Sequence, residues 1–233
     1  MRSAQSLNQH DLNQLQHSGW FARLPDDFKN QLMQQAEIKW LEAQECLFRR
    51  DDAFDGLYCV LEGALRINSY SETGKEALLA VIEPYSWFGE ISLIDGLPRT
   101  HDAIAEKNCR LLHISPEVLE QLLQQQPQGW RYLAQLTTHK ARLAFDSLEQ
   151  SALFPAFKRL VNRLILLAEG FENQPNRRIL HLPQEQLASM LALSRQTTNQ
   201  ILKQLELQQL IRVDYREVEI LDLPGLKAIS QSI

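Results

Sequence analysis

The chain has 233 residues, 44% of them hydrophobic and 23% charged, with 24 Lys+Arg against 29 Asp+Glu and a formal charge of −5. That length suffices for two modest domains, each with its own core. No run approaches the ~20 apolar residues of a membrane span, and the polar Gln/Asn-rich start, Met1 to Gly19, carries no apolar signal region, so no membrane partner is expected and a cytoplasmic location is.

Three cysteines, Cys46, Cys59 and Cys109, lie far apart and form no CxxC pair, which suits a reducing compartment and a role as small buried apolar residues. The charge is uneven. Residues 1–154 hold 14 basic against 21 acidic side chains, whereas 155–233 hold 10 against 8. An acidic front joined to a mildly basic back fits a sensing module followed by a nucleic-acid module, with modest non-specific affinity because few phosphates can be neutralised.

Residues 7–35 read as mostly helical, with Pro25 starting the second of two short helices and Phe28, Leu32 and Ala36 on one face. From 38 to 114 the pattern changes to short apolar or alternating runs: Ile38–Leu41, Cys46–Phe48, Leu57–Leu61, Ala64–Asn68, Ala77–Ile82, Ala103–Ala105 and Arg110–Ile114. Turn signals such as Asp51-Asp52, Glu62-Gly63 and Asp95-Gly96-Leu97-Pro98 separate them. Many short strands at close spacing predict a sandwich or jelly-roll barrel. Ser115-Pro116-Glu117 then opens a helix with a Ser cap and Pro in the first turn.

A long helix is expected from about Gly129 to Leu153. Trp130, Leu133, Leu136, Leu143, Ala144 and Leu148 lie near one stripe, interrupted by Lys140. A helix of this length on a small barrel cannot bury its whole stripe in cis. Pairing with a second copy of the chain is one solution and packing on the barrel the other. Phe154-Pro155 marks a hinge, Leu160, Leu164, Leu167 and Ala168 make an amphipathic helix ending near Gly170, and Gly170 to Asn176 is a loop.

The stretch from Leu182 to Leu202 has the form of a helix-turn-helix. Leu187, Leu191, Ile201, Leu202 and Leu205 recur at helical spacing and can share one buried face. Ser194 stands where an N-cap belongs. Arg195, Gln196, Asn199, Gln200 and Lys203 then point outward from the second helix, and long polar donors near its N-terminus are what reading base edges in a major groove requires. Thr197 and Lys203 suit phosphate contacts. A solvated helical hairpin is the plainer alternative. Ile211–Val213 and Val218–Leu221 read as a small hairpin, or wing, with Arg216 at its tip facing either a phosphate or solvent.

This order of parts resembles the CRP/FNR family of bacterial transcription regulators over about residues 18–224. Two stretches carry the resemblance: Trp87-Phe88-Gly89-Glu90-Ile91-Ser92-Leu93-Ile94-Asp95-Gly96-Leu97-Pro98-Arg99-Thr100, and the helix-turn-helix with Ser194-Arg195-Gln196-Thr197 at the start of its second helix. Leu57 to Gly63 also looks like the family's central strand pair. The resemblance implies an α+β architecture: an N-terminal β jelly-roll barrel of the cyclic-nucleotide-binding type within residues 1–128, a long dimerisation helix at 129–153, and a C-terminal winged helix-turn-helix at 154–233. It implies a homodimer on a pseudo-palindromic site in double-stranded DNA, with RNA polymerase as a transcriptional partner.

In cyclic-nucleotide-binding members a Gly-Glu pair and an Arg followed by Ser or Thr hold the ligand, the Glu taking a ribose hydroxyl and the Arg the cyclic phosphate. Gly89, Glu90, Arg99 and Thr100 occupy those places and imply a cyclic nucleotide, cyclic AMP or cyclic GMP, as effector. The chemistry suits it, since a guanidinium binds a phosphodiester and a carboxylate accepts from a 2′-hydroxyl. A structural alternative stands beside it, in which Gly89 only permits a turn and Glu90 and Arg99 pair with each other inside the barrel. The chain departs from the pattern at His101 and Asp102, and at Ala144 and Phe145, where adenine-binding members supply hydroxyls. Gln44 and Arg50 stand at turns where the family carries glycine.

Other chemistries fit less well. Three scattered cysteines do not make an iron–sulfur ligand set, and a haem would need an axial residue for which His101 and His113 are the candidates. No metal or haem is expected. A redox switch through a cysteine and an orphan regulator without ligand remain as alternatives. A jelly-roll metal enzyme with ligands from Thr100-His101-Asp102 is the rival class, but the chain has no HxH pair, Gly-x-Ser-x-Gly elbow or P-loop. The expectation is a non-enzyme.

Overall fold

The computed structural model describes residues 7–74, 76–169, 178–180, 182–215 and 217–232. It divides into two compact units, Met1–Arg142 and Leu143–Ile233, with the division inside the long helix. No helix among the described residues is long and apolar enough to cross a membrane.

The first unit begins with α1 (Gln9–His17), α2 (Gly19–Ala22) and α3 (Asp26–Gln34). Eight strands follow: β1 (Glu37–Leu41), β2 (Cys46–Phe48), β3 (Leu57–Glu62), β4 (Leu65–Tyr70), β5 (Glu76–Ile82), β6 (Trp87–Phe88), β7 (Asp102–Ala105) and β8 (Cys109–Ile114). The short helix α4 (Glu90–Asp95) interrupts them after β6. Then come α5 (Pro116–Gln125) and the first part of α6 (Gly129–Leu153). The strands form two antiparallel four-stranded sheets, ordered β1-β8-β3-β6 and β2-β7-β4-β5. This is the expected jelly-roll-type sandwich, present as two sheets.

The first sheet is buried on both faces. Tyr58, Val60, Phe88 and Leu111 on one side join Phe48, Leu65, Ala103 and Ala105 of the second sheet in a shared core. Leu57, Cys59, Leu61, Trp87, Leu112 and Ile114 on the other side pack under the N-terminal helices, α5 and the start of α6. That is why β3 reads as a continuous apolar run. Trp87 is wedged between the edge of Trp20, at 5.5 Å, and the stacked ring of Phe21, also at 5.5 Å. The Trp20 indole N–H donates to the Tyr132 carbonyl at 2.6 Å and so ties α2 to α6. Gln44, a family glycine position, takes φ 68°, while beside Arg50 the left-handed residue is Asp51 at 70°. A Cβ disfavours the left-handed region without forbidding it, and polar residues at turns enter it most readily.

Two features of this part of the chain were not legible in the pattern. α4 and β6 are too short to show a period. The stripe expected on α6 also splits: Leu133 and Leu136 are buried in the core, Leu143 is half-buried, and Trp130, Ala144 and Leu148 are exposed.

The second unit holds the end of α6, then α7 (Ala156–Glu169), β9 (Ile179–Leu180), α8 (Gln184–Met190), α9 (Arg195–Leu207), β10 (Ile211–Asp214), β11 (Glu217–Ile220) and α10 (Leu223–Ser232). Leu160, Val161, Leu164, Leu167 and Ala168 form the buried face of α7. The wing hairpin β10–β11 gains a third strand, β9, ahead of the helix-turn-helix, with Val218 opposite Leu180. The loop read at Gly170 to Asn176 and the wing-tip Arg216 lie outside the described residues.

The Asn8 side chain caps α1 by accepting from the Asp11 N–H at 2.8 Å, and Asp11, almost fully buried, receives both Arg110 Nη atoms at 2.7 and 2.9 Å. This pair fastens α1 to β8. Arg110→Met should strand a buried carboxylate and lower stability by ~3 kcal/mol. Denaturant unfolding followed by tryptophan fluorescence checks it, and an unchanged midpoint would refute the clamp.

Candidate nucleic-acid interface and effector cavity

Helices α8 and α9 pack through Leu187, Ala188 and Leu191 on one side and Ile201, Leu202 and Leu205 on the other, all buried. Between them Ala192 turns through φ 50°, and the Leu193 N–H closes the turn on the Ala188 carbonyl at 2.9 Å. Ser194 is the N-cap of α9, its Oγ accepting from the Thr197 N–H at 3.0 Å. Burial of Thr198, Ile201 and Leu202 fixes the rotation of the helix. Arg195, Gln196, Gln200 and Lys203 are consequently exposed, and Thr197 and Asn199 half-buried. The Asn199 side-chain oxygen is buried with no partner among the described residues. On the wing, Arg212 is held by Glu219 at 2.8 Å and Tyr215 stands out in solvent.

In the first unit, Gly89, Glu90, Arg99 and Thr100 line one cavity of about 180 Å3 with Phe48, Ile82 and Lys140. Gly89 adopts φ +97°, and a Cβ there would stand 2.9 Å from Arg99 Nη1, so the close approach needs glycine. Arg99 is almost fully buried. It donates from Nη1 to the Gly89 carbonyl at 2.9 Å, and from Nη2 to the Gly56 carbonyl at 2.7 Å and Asp55 Oδ1 at 2.5 Å. Its guanidinium also lies 4.3 Å from the Phe48 ring centroid and 5.0 Å from that of Phe54. Asp55 in turn accepts from the Tyr58 hydroxyl at 2.6 Å. Burial first, and then that bond to Asp55, push the Tyr58 phenol well above its ordinary pKa, so it stays a donor.

Glu90 is 1% exposed and does not pair with Arg99; its Oε2 accepts from Lys140 Nζ of α6 at 2.8 Å. The reading in which Glu90 and Arg99 neutralise each other is thereby corrected. Each buried charge has its own partner, Asp55 for Arg99 and Lys140 for Glu90. Two atoms stay open: Glu90 Oε1 and Arg99 Nε are buried without a partner among the described residues. An acceptor-only carboxylate oxygen and a guanidinium N–H on one cavity match a hydroxyl and an anionic oxygen, which fits the ribose–phosphate part of a cyclic nucleotide. The volume is below the range of about 300–1,000 Å3 usual for ligand pockets. His101 also lines the cavity, and burial, then the Arg50 charge, push its pKa down, so it adds no cation there at neutral pH.

Comparison with known proteins agrees with both halves. Residues 38–126 match the cyclic nucleotide-binding domain, and residues 158–229 the Crp-like helix-turn-helix domain. The chain belongs to the CRP/FNR family of transcription regulators. Among its relatives, the CRP-like cAMP-activated global transcriptional regulator of Mycobacterium tuberculosis is 27% identical over 76% of this chain and 80% of its own. The transcriptional regulator SdrP of Thermus thermophilus is 29% identical over 76% and 85%. Among solved structures, a CRP/FNR-family regulator of Thermus thermophilus aligns at a TM-score of 0.64, 25% identical, over 84% of this chain and 98% of that one. FixK2 of Bradyrhizobium japonicum shares the fold at a TM-score of 0.73, 20% identical, over 83% and 96%. The chain is thus a CRP-like transcription regulator with a cyclic-nucleotide-binding domain and a DNA-binding helix-turn-helix.

Two residues that pair with the cavity's charges escaped the sequence reading. Asp55 sits in an unstructured run before β3, with no pattern to single it out. Lys140 was visible only as an interruption in an apolar stripe, and that interruption was its signal: a charge kept on a helix's inner face needs a buried counter-charge. Lys140→Met should leave Glu90 uncompensated and lower stability by ~1–3 kcal/mol, with Glu90→Gln added to it restoring most of the loss. A double-mutant cycle in urea measures this, and additive effects of the two changes would show that the pair is not coupled.

Proposed function

We propose that this regulator acts as a homodimer in the cytoplasm, setting α9 of each subunit into successive major grooves of a pseudo-palindromic operator, with RNA polymerase as its transcriptional partner. The observation that carries the reading is the capped N-terminus of α9, which leaves Arg195, Gln196, Gln200 and Lys203 exposed on a helix whose rotation is fixed by its core. Arg195 is the residue for a bidentate contact to guanine. Gln196 and Gln200 take adenine or neighbouring edges, with Asn199 beside them, and Ser194, Thr197 and Lys203 face phosphates. Residues 1–128 are the sensing part, 129–153 the dimerisation helix and 154–233 the DNA-binding part. Support for the dimer comes from α6, where Trp130, Ala134, Ala141, Ala144 and Leu148 are spaced by four, seven, three and four residues, a heptad-type pattern, and are all exposed.

The effector in this reading is a cyclic nucleotide, its phosphate on Arg99 and Thr100 and its ribose hydroxyl on Glu90 beside Gly89. The two open atoms at that cavity support it. Ala144 and Phe145 offer no hydroxyls to a base, so selectivity for adenine over guanine is expected to be weak. A second reading is favoured by the partners already in place: Lys140 on Glu90 and Asp55 on Arg99 match both charges from within the chain, as an effector-independent regulator would. An effector must bind two states of the protein unequally to control it.

Arg195→Ala should lower discrimination between operator and mismatched sites by ~1–3 kcal/mol while leaving the dimer folded. Quantitative gel shifts at fixed salt measure it, and undiminished discrimination would sink the assignment of α9. Calorimetry with cyclic AMP and cyclic GMP tests the effector. Saturable heat that Arg99→Ala weakens supports the nucleotide, and silence with both counts against it and favours the effector-independent reading.

A further inference from the structure

The second unit contains a groove of about 410 Å3 that none of the recognition-helix side chains lines. Its walls are the end of α6, with Ser147; α7, with Arg159 and Arg163; the turn after α8, with Leu191; and α10, with Lys227 and Ser230. The volume lies within the range of sites that hold small molecules.

The charges in this groove do not balance. Arg159 and Arg163 stand one turn apart on α7 and so lie on one face of the helix. Arg159 Nη1 donates to the Leu191 carbonyl at 3.2 Å and to Ser151 Oγ at 3.4 Å, both neutral, while its Nε is buried without a partner among the described residues. Arg163 has no carboxylate partner among the described residues. Desolvation alone acts on it and lowers its pKa, with no compensating negative charge. Two carboxylates line the groove, and neither serves the arginines. Glu169 is held by Lys227 at 2.5 Å, and Asp146 is an exposed residue of α6. Elsewhere in the chain the buried guanidiniums, Arg99 and Arg110, are each matched by a carboxylate. Here two half-buried cations line one space with donors to spare, and a partly buried charge without a counter-charge is costly.

We propose that this groove is a second small-molecule site, separate from the cavity at Glu90 and Arg99, and that it takes a small oxyanion-bearing metabolite, a phosphate ester or a carboxylate. Guanidinium groups present parallel N–H pairs that match the paired oxygens of either group. An anion seated between Arg159 and Arg163 would reach α6, α7 and α10 at once, the elements on which the helix-turn-helix is carried within this unit.

The test is isothermal titration calorimetry on the full chain in a chloride buffer of fixed ionic strength, with inorganic pyrophosphate as the phosphate probe and citrate as the carboxylate probe. Saturable binding of at least one probe is expected, weakened at least tenfold by Arg163→Gln, partly kept by Arg163→Lys and unchanged by Arg99→Ala. Which probe binds tells phosphate from carboxylate. Arg159→Gln is the less clean variant because Arg159 also fastens the turn at Leu191, so thermal melts accompany every variant and the Arg163 pair carries the result. Absence of saturable heat with both probes overturns the proposal. So does equal binding by wild type and Arg163→Gln, or loss of probe binding in Arg99→Ala, which would place the anion in the other cavity. A reduced salt dependence of operator binding in Arg163→Gln without anion binding would assign the arginine to the DNA backbone and overturn it as well.

Discussion

The need to cover one sheet on both faces organises the first unit. The sheet β1-β8-β3-β6 presents Tyr58 and Val60 to one side and Leu57, Cys59 and Leu61 to the other, and all five are buried. The second sheet closes the inner face. The outer face is closed by chain segments far apart in sequence: α1 to α3, α5 and the first turns of α6. Trp87 at the centre of that outer layer is enclosed by Trp20 and Phe21, and the Trp20 indole holds the Tyr132 carbonyl of α6. Burial of this kind is worth roughly 25 cal/mol per Å2 of apolar surface, so aromatic side chains dominate the layer. The long helix therefore begins at a fixed place on the sheet.

That fixed start is what brings Lys140 to the cavity. With Leu133 and Leu136 held in the core, the same face of α6 carries Lys140 toward Glu90 two turns later. The cavity is thus lined by an apolar sandwich interior, a buried acid answered from a helix and a buried guanidinium answered from a loop. An effector that engages Glu90 competes with, or joins, a side chain of α6. This gives a physical link between the occupant of the cavity and the helix, through one ion pair, without any change in the sheets.

The two halves of the chain use arginine differently. Arg99 and Arg110 are enclosed and matched by Asp55 and Asp11, and act as structural ties. Arg195 is exposed at the start of α9, where its charge is free to meet a ligand from solution. Arg159 and Arg163 fall between these cases, half-buried and without a carboxylate partner among the described residues.

Local patterns in the sequence determined the strand runs, the helix-turn-helix and the capped start of α9, because periodicity, turn residues and N-caps act over a few neighbours. The resemblance to the family, and no local pattern, marked Gly89, Glu90, Arg99 and Thr100 as one group. Only the tertiary structure decided which charges meet. Asp55 reaches Arg99 across 44 residues and Lys140 reaches Glu90 across 50. Such pairings depend on how sheets and helices are stacked, which no local spacing encodes. The third strand of the wing and the division of the α6 stripe into a core part and an exposed part were settled at the same level, because burial is a property of what covers a residue and not of the residue's neighbours along the chain.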